Sequence, residues 1–266
     1  MLAVSYSVLF RQSPFDQLDA LAPIVAAAYR VTDFDARGKI RKGWGFLERN
    51  ATGDEARVLA EAIGSIAGGL EVIDNANLRA PAEPQVTKGF AVEADGIALQ
   101  LQAGHESVRV LSWADIAIVA AGGFTEEIIR RESGGDEQKV GKMLTGLGVF
   151  LVTGIPMNLF GGGKKKAKEA KPAKSSRLIT FGRIVTRAGE QFAFSPDHFD
   201  FSGLGDKKQM HASANFRAFL ADLSERTSAK LNLGAQLLLG NRSVSFANYS
   251  GVHDFETELL WLMNTG

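Results

Sequence analysis

The chain contains no cysteine, which excludes disulfides, iron–sulfur clusters and cysteine-bearing zinc sites and fits a reducing compartment. Histidine is nearly as scarce. His105, His198, His211 and His253 are the four imidazoles, and none stands at a metal-ligand spacing from another. Net charge is missing too, since 30 Lys and Arg balance 30 Asp and Glu. Signatures of chemistry are equally absent: there is no G-x-S-x-G and no H-E-x-x-H. Gly161-Gly-Gly-Lys164 lacks the leading spacing and the Ser/Thr of a phosphate loop, and Gly203-Leu-Gly205 lacks a third glycine. Asp197, His198, Asp200 and Ser202 are too close in sequence to converge and read as a polar hairpin tip. The first residues, MLAVSYSVLFRQ, have no basic stretch ahead of the apolar run and read as a strand rather than a targeting peptide. These absences lead us to expect a cytoplasmic, non-enzymatic protein without catalytic, cofactor or metal residues.

What is present fits a two-domain chain. At 266 residues, 45% hydrophobic and 23% charged, it can fill two modest cores. Val4–Phe10 alternates as a strand. Ser13-Pro14 supplies a helix start, and Leu18, Leu21, Ile24, Val25 and Ala28 share one helical face. A second helix starts at Thr32-Asp33, and Gly43–Glu48 is a short strand. Thr52-Gly-Asp-Glu55 is a capping box for a helix carrying Ala56, Leu59, Ala60 and Ile63. Gly68-Gly69 stops that helix before the strand Leu70–Ile73. The run Glu55-Ala56, Leu59, Ile63, Gly68-Gly69, Leu70-Glu71-Val72 resembles the ending shared by the ribosomal stalk C-terminal domain and the ClpS protease adaptor. That resemblance implies a small α/β sandwich, β-α-α-β-α-β, over residues 1–80.

Pro81-Ala-Glu-Pro84 is a stiff linker. Phe90–Gly96 and Ile97–Leu101 then read as strands around an Asp-Gly turn. Val108–Leu111 continues the meander, and Ser112-Trp113-Ala-Asp115-Ile116 leads into an apolar strand ending near Val119. Strands resume at Arg177–Phe181. Gln191–Phe194 and Phe199–Phe201 form an expected hairpin with a Phe stripe in the core. Ser213–Leu223 is an amphipathic helix, Leu237–Leu239 and Val244–Phe246 are short strands, and Asp254–Met263 is a terminal helix. Trp113, Asp115 and Ile116 carry a resemblance to bacterial pleckstrin-homology-like and GRAM-like barrels. It implies an α+β chain whose second domain, 86–266, is a split antiparallel barrel with C-terminal helices, a fold that hosts unrelated partners.

An insertion, at about 121–176, interrupts that domain. Phe124–Arg131 reads as a short charged helix, and Met143–Gly163 carries no charge at all. The Lys-rich stretch 161–176 follows, with six Lys and one Arg (Arg177) against one Glu from Gly161 to Arg177. Its lysines, Lys164, Lys165, Lys166, Lys168, Lys171 and Lys174, are the candidate contact residues for lipid or a partner. The uncharged run is about the minimum length for a bilayer crossing, yet the two barrel halves must meet on one side, which opposes a single span. It can instead lie at an anionic interface, where each Lys contributes about 1 kcal/mol, or pack on the protein's own core with the Lys tract as a solvated linker. Nucleic acid is not expected, because the tract has no interleaved aromatics and the remaining chain is acidic. The favoured reading is an interaction or adaptor module with a protein partner. The alternative is a peripheral membrane module using Met143–Phe160 and the lysines.

Overall fold

The computed structural model describes residues 4–63, 69–102, 107–130, 173–242 and 249–265. The N-terminal unit follows the expected order: β1 (Tyr6–Phe10), α1 (Leu18–Tyr29), α2 (Asp33–Gly43), β2 (Phe46–Ala51), α3 (Gly53–Ile63) and β3 (Leu70–Asp74). Its three strands pair antiparallel in the order β2-β1-β3. The caps act as their residue types dictate. The Thr32 hydroxyl accepts from Asp35 N–H, and Thr52 and Glu55 bond reciprocally at 3.3 and 2.8 Å. Val8 and Phe10 pack under the helices with Leu21, Val25, Ile40, Leu59 and Ile63. Leu9 points through the opposite face of the sheet into a second core, so β1 is apolar on both sides rather than alternating. α1 starts later than Ser13-Pro14 would place it: the chain turns through 14–17 first, and Ala28 is exposed.

The remaining strands make one seven-stranded sheet. β4 (Gln85–Val92), β5 (Gly96–Leu101) and β6 (Val108–Ser112) form one meander, and β7 (Ile116–Arg130), β8 (Ala173–Thr186) and β9 (Gln191–Phe194) form another. A short parallel pairing of β4 with β9 joins them, and β10 (Lys230–Leu231) lies parallel to β7. The order is β10-β7-β8-β9-β4-β5-β6, with no closure between the ends among the described residues. α4 (Ala212–Arg226) fills the space between the meanders with Phe216, Phe219, Leu220 and Leu223. Around the Phe219 ring stand Phe90, Phe194 and Phe199, at 4.3, 5.2 and 5.4 Å between centroids. The Phe stripe is therefore core.

On the other face of β7 and β8 lies α6 (Val252–Asn264), preceded in sequence by α5 (Leu233–Leu239). Phe255, Leu259 and Leu262 of α6 share one buried cluster with Phe181 and Val185 of the sheet and with Leu9, Trp44 and Phe46 of the N-terminal unit. The Trp261 indole N–H donates to Phe10 O at 2.6 Å, and the Trp44 ring stacks on Tyr249 at 4.5 Å. The two units are thus joined by an apolar seam with α6 in its middle.

Three local expectations are corrected. Of the expected helix Phe124–Arg131, the described residues Phe124–Arg130 are instead the outer end of β7, paired with β8 from Phe124↔Ile179 to Arg130↔Ala173. The β-branched pair Ile128-Ile129 suits a strand, and Glu126 lies opposite Arg177 in register. Leu237–Leu239 is helical because the Asn232 side chain caps α5, accepting from Ala235 N–H at 2.9 Å. Phe199–Phe201 does not return along β9: Asp200 bridges in parallel to Gly89 of β4. Val244–Phe246 lies outside the described residues. Among the described residues no helix is long and apolar enough to cross a membrane.

Candidate interaction surfaces

Of the sequence-selected lysines, Lys164, Lys165, Lys166, Lys168 and Lys171 lie outside the described residues, as does 143–160. Lys174 belongs to β8, opposite Ile129, rather than to a linker. The finding of consequence is the pairing of Arg130 with Ala173, because the intervening chain leaves and returns at one point. The β7–β8 ribbon reaches that point as an arm. Phe124 and Ile179 still pack on the α6 core, but Thr125, Glu126, Ser176, Arg177 and Leu178 are exposed. β9 flanks only Gly182–Val185 and β10 only Ile118–Val119, so neither supports the arm. Six further residues of strand extend it about 20 Å past Phe124. An ion pair from Arg177 to Asp197 at 2.7 Å braces its base.

The second surface is the outer edge of β6. Leu101 N–H donates to Ser107 O and Trp113 N–H to Asp95 O, and the register between β5 and β6 is unbroken from Gly96↔Ser112 to Gln100↔Val108. Hydrogen-bonded pairs alternate in an antiparallel ladder. Arg109 and Leu111 are therefore the β6 residues bonded to β5, and the Ser112 C=O is taken up by the 3-10 turn Trp113–Asp115 that it caps. Val108, Val110 and Ser112 turn their N–H groups, and the two valines their C=O groups, outward. Their side chains lie on the face away from buried Leu111, and Val108 and Val110 are 55% and 53% exposed.

Clusters that resemble chemistry have structural partners. Tyr29 O–H and Lys39 Nζ both donate to Glu48. Burial and then the neighbouring Glu48 push the Tyr29 hydroxyl far up, which favours its protonated, donating form. Asp200 is bonded to Ser202 and Asp197 to Arg177, and the two do not converge with His198. A cleft of about 440 Å³ between Phe15–Ala20 and α2 is open to solvent, and its Arg37 is tied to Asp19. No group of three His, Asp or Glu side chains could hold a metal among the described residues.

One buried network escaped the sequence reading. Glu258 of α6 accepts from Tyr249 O–H, from Leu233 N–H at 2.8 Å and from Asn232 Nδ2 at 3.2 Å. Asn232 in turn exchanges 2.9 Å bonds with both Ala121 N–H and Ala121 O of β7. Burial pushes the Glu258 carboxyl up against these donors, and burial with the adjacent Glu258 raises Tyr249. The signal was available: Glu258 falls three residues after Phe255 and four before Leu262, on the apolar face. The network ties α5, α6 and β7 together, and Asn232, Tyr249 and Glu258 are all buried. The chain matches no protein-family model, no curated protein and no solved structure.

Proposed function

We propose that this protein is a non-enzymatic interaction module: a two-unit body that holds out the β7–β8 arm and presents the chain between its strands to a protein partner. The observation that carries this reading is the Arg130↔Ala173 pairing at the end of an arm that the body does not need for its own core. The paired ends give the inserted chain one point of exit and return, as a display loop requires. A second reading, attachment to an anionic membrane surface, draws on the same pairing. An even number of crossings, or none, is the only topology compatible with adjacent ends, so the uncharged run would lie at the interface beside the lysines.

Replacing 131–172 with Asn-Gly tests both, because two residues can close a hairpin whose flanking strands are already in register. Wild type and closed-arm protein, each carrying a photo-crosslinker at Thr125, are compared by cross-linking in the source cells. Protein adducts lost on closure are the expected result, and identical adducts in both forms refute the arm as a presenting device. Salt-sensitive sedimentation with anionic but not neutral vesicles, lost on closure, would replace the protein reading with the membrane one.

A further inference from the structure

We infer that the outer edge of β6 is a docking site for an extended polypeptide segment of a partner protein, which adds to the sheet as an eighth strand beside Val108–Ser112. The inference deepens the interaction reading but uses none of the arm. The N–H groups of Val108, Val110 and Ser112 and the C=O groups of Val108 and Val110 face outward with no hydrogen-bond partner among the described residues. Only another extended backbone offers donors and acceptors at that alternating spacing.

Proteins ordinarily guard such edges with charge, proline, bulges or short strands, and the other edge strands of the two sheets are guarded, while the open sides of the arm carry Glu126, Glu127, Lys174 and Arg177. β10 is two residues long. β2 pairs with two register shifts, and β3 carries Glu71 and Asp74. β6 has no proline, no bulge and no charge on its exposed face, where Val108, Val110 and Ser112 follow one another. The one charged residue of the strand, Arg109, is on the other face and is held by Glu190 at 2.8 Å.

A second copy of this chain is a poorer occupant. Antiparallel self-pairing about Val110 would bring the two Arg109 side chains onto one face as diagonal neighbours. Four exposed edge residues also fall well short of the roughly 800 Å² that each partner contributes to a stable interface. A flexible segment needs no such area, because its affinity comes from main-chain bonds, with specificity supplied by alternate side chains. The segment that fits is uncharged and β-branched or aromatic at the positions flanking Val108 and Val110.

The test selects phage-displayed random nine-residue segments on the full chain, with Val110→Pro and Val110→Lys as counter-targets. The Val110 N–H points away from β5, so proline there removes an outward donor without breaking the β5–β6 ladder. The lysine variant guards the edge without changing the backbone. Both should keep the wild-type circular dichroism. The expected result is a set of segments with uncharged apolar alternation that bind wild type at least tenfold more tightly than either variant. Synthetic copies N-methylated at alternate residues should lose binding in one of the two phases. Failure to enrich any segment overturns the inference, as does equal binding by the variants. So does a concentration-dependent dimer that disappears in Val110→Lys. The closed-arm protein should bind the same segments, so failure of the arm reading and failure of this one are told apart.

Discussion

Gly45→Ala is expected to break the seam between the N-terminal unit and the sheet. Gly45 has φ of +96°, where a β-carbon costs about 1–2 kcal/mol. That carbon would stand 2.2 Å from two atoms of the Trp261 ring, far inside contact distance. The ring has little room to yield: Trp261 is 5% exposed and its N–H is committed to Phe10 O. Overpacking at such a site costs about 1–3 kcal/mol. If the indole moves, the buried Phe10 carbonyl loses its donor at a further cost of about 1–3 kcal/mol. Because these penalties partly substitute for one another, the expected loss is about 3–5 kcal/mol, a large share of the roughly 5–15 kcal/mol typical of a folded protein. Urea titration followed by tryptophan fluorescence reads it directly, since Trp44 and Trp261 both lie in the seam. Trp261→Ala removes the Cγ, Cδ1 and Cδ2 atoms that the new β-carbon would meet, so the double variant should be more stable than the sum of the single changes implies. Strict additivity, or a Gly45→Ala loss below about 1 kcal/mol, would refute the account of the seam.

Other expectations follow from buried charge. Arg183 is 2% exposed and, among the described residues, makes one 3.3 Å bond, to Gly182 O, and has no carboxylate in ion-pair range. Arg183→Met is therefore expected to be neutral or stabilising by about 1–3 kcal/mol in the same titration. Burial pushes the Asp222 carboxyl up, but the Lys207 and Arg226 cations outweigh it and hold the group below its usual value. Its stabilisation is present above the unfolded carboxylate value of about 3.9 and is lost as pH falls. The deficit of Asp222→Asn, about 1–3 kcal/mol near neutrality, should accordingly close on acidification. Glu258 has the opposite sign: its raised value favours folding below the unfolded value and loses that benefit as pH rises through the folded one. The stability of Glu258→Gln relative to wild type should therefore improve as pH rises.

The N-terminal unit was legible because its helix starts are written in local chemistry. Thr32 and the Thr52–Glu55 box each act within a few residues of themselves, and Gly69 takes a positive φ at the entry to β3. Legibility failed where a distant partner decides the outcome. Thr-Glu-Glu-Ile-Ile satisfies a helix face and a strand equally well, and the pairing with Lys174–Leu178 selects the strand. Leu237-Leu-Leu239 has no periodicity of its own, and a cap five residues earlier makes it helical. Phe199–Phe201 was read as a neighbour of the preceding strand, but Asp200 pairs with β4, more than a hundred residues back. The β6 edge was hidden for a related reason. Val108–Leu111 announces a strand, but nothing in it says which of its carbonyls lack a neighbour.

Arm and edge should act independently of one another. In the sheet order β10-β7-β8-β9-β4-β5-β6, four strand boundaries separate β8 from β6, and among the described side chains neither surface contributes to the α6 seam except through Phe124 and Ile179 at the base of the arm. Mutations on surfaces without shared partners add within about 0.3–0.5 kcal/mol. Combining the Asn-Gly closure with Val110→Lys should therefore leave each binding defect at its single-variant size. If closing the arm instead changed segment affinity at β6 tenfold, about 1.4 kcal/mol of coupling, the inserted chain would have to reach the edge itself. The occupant of β6 would then be this chain's own insertion rather than a partner's strand.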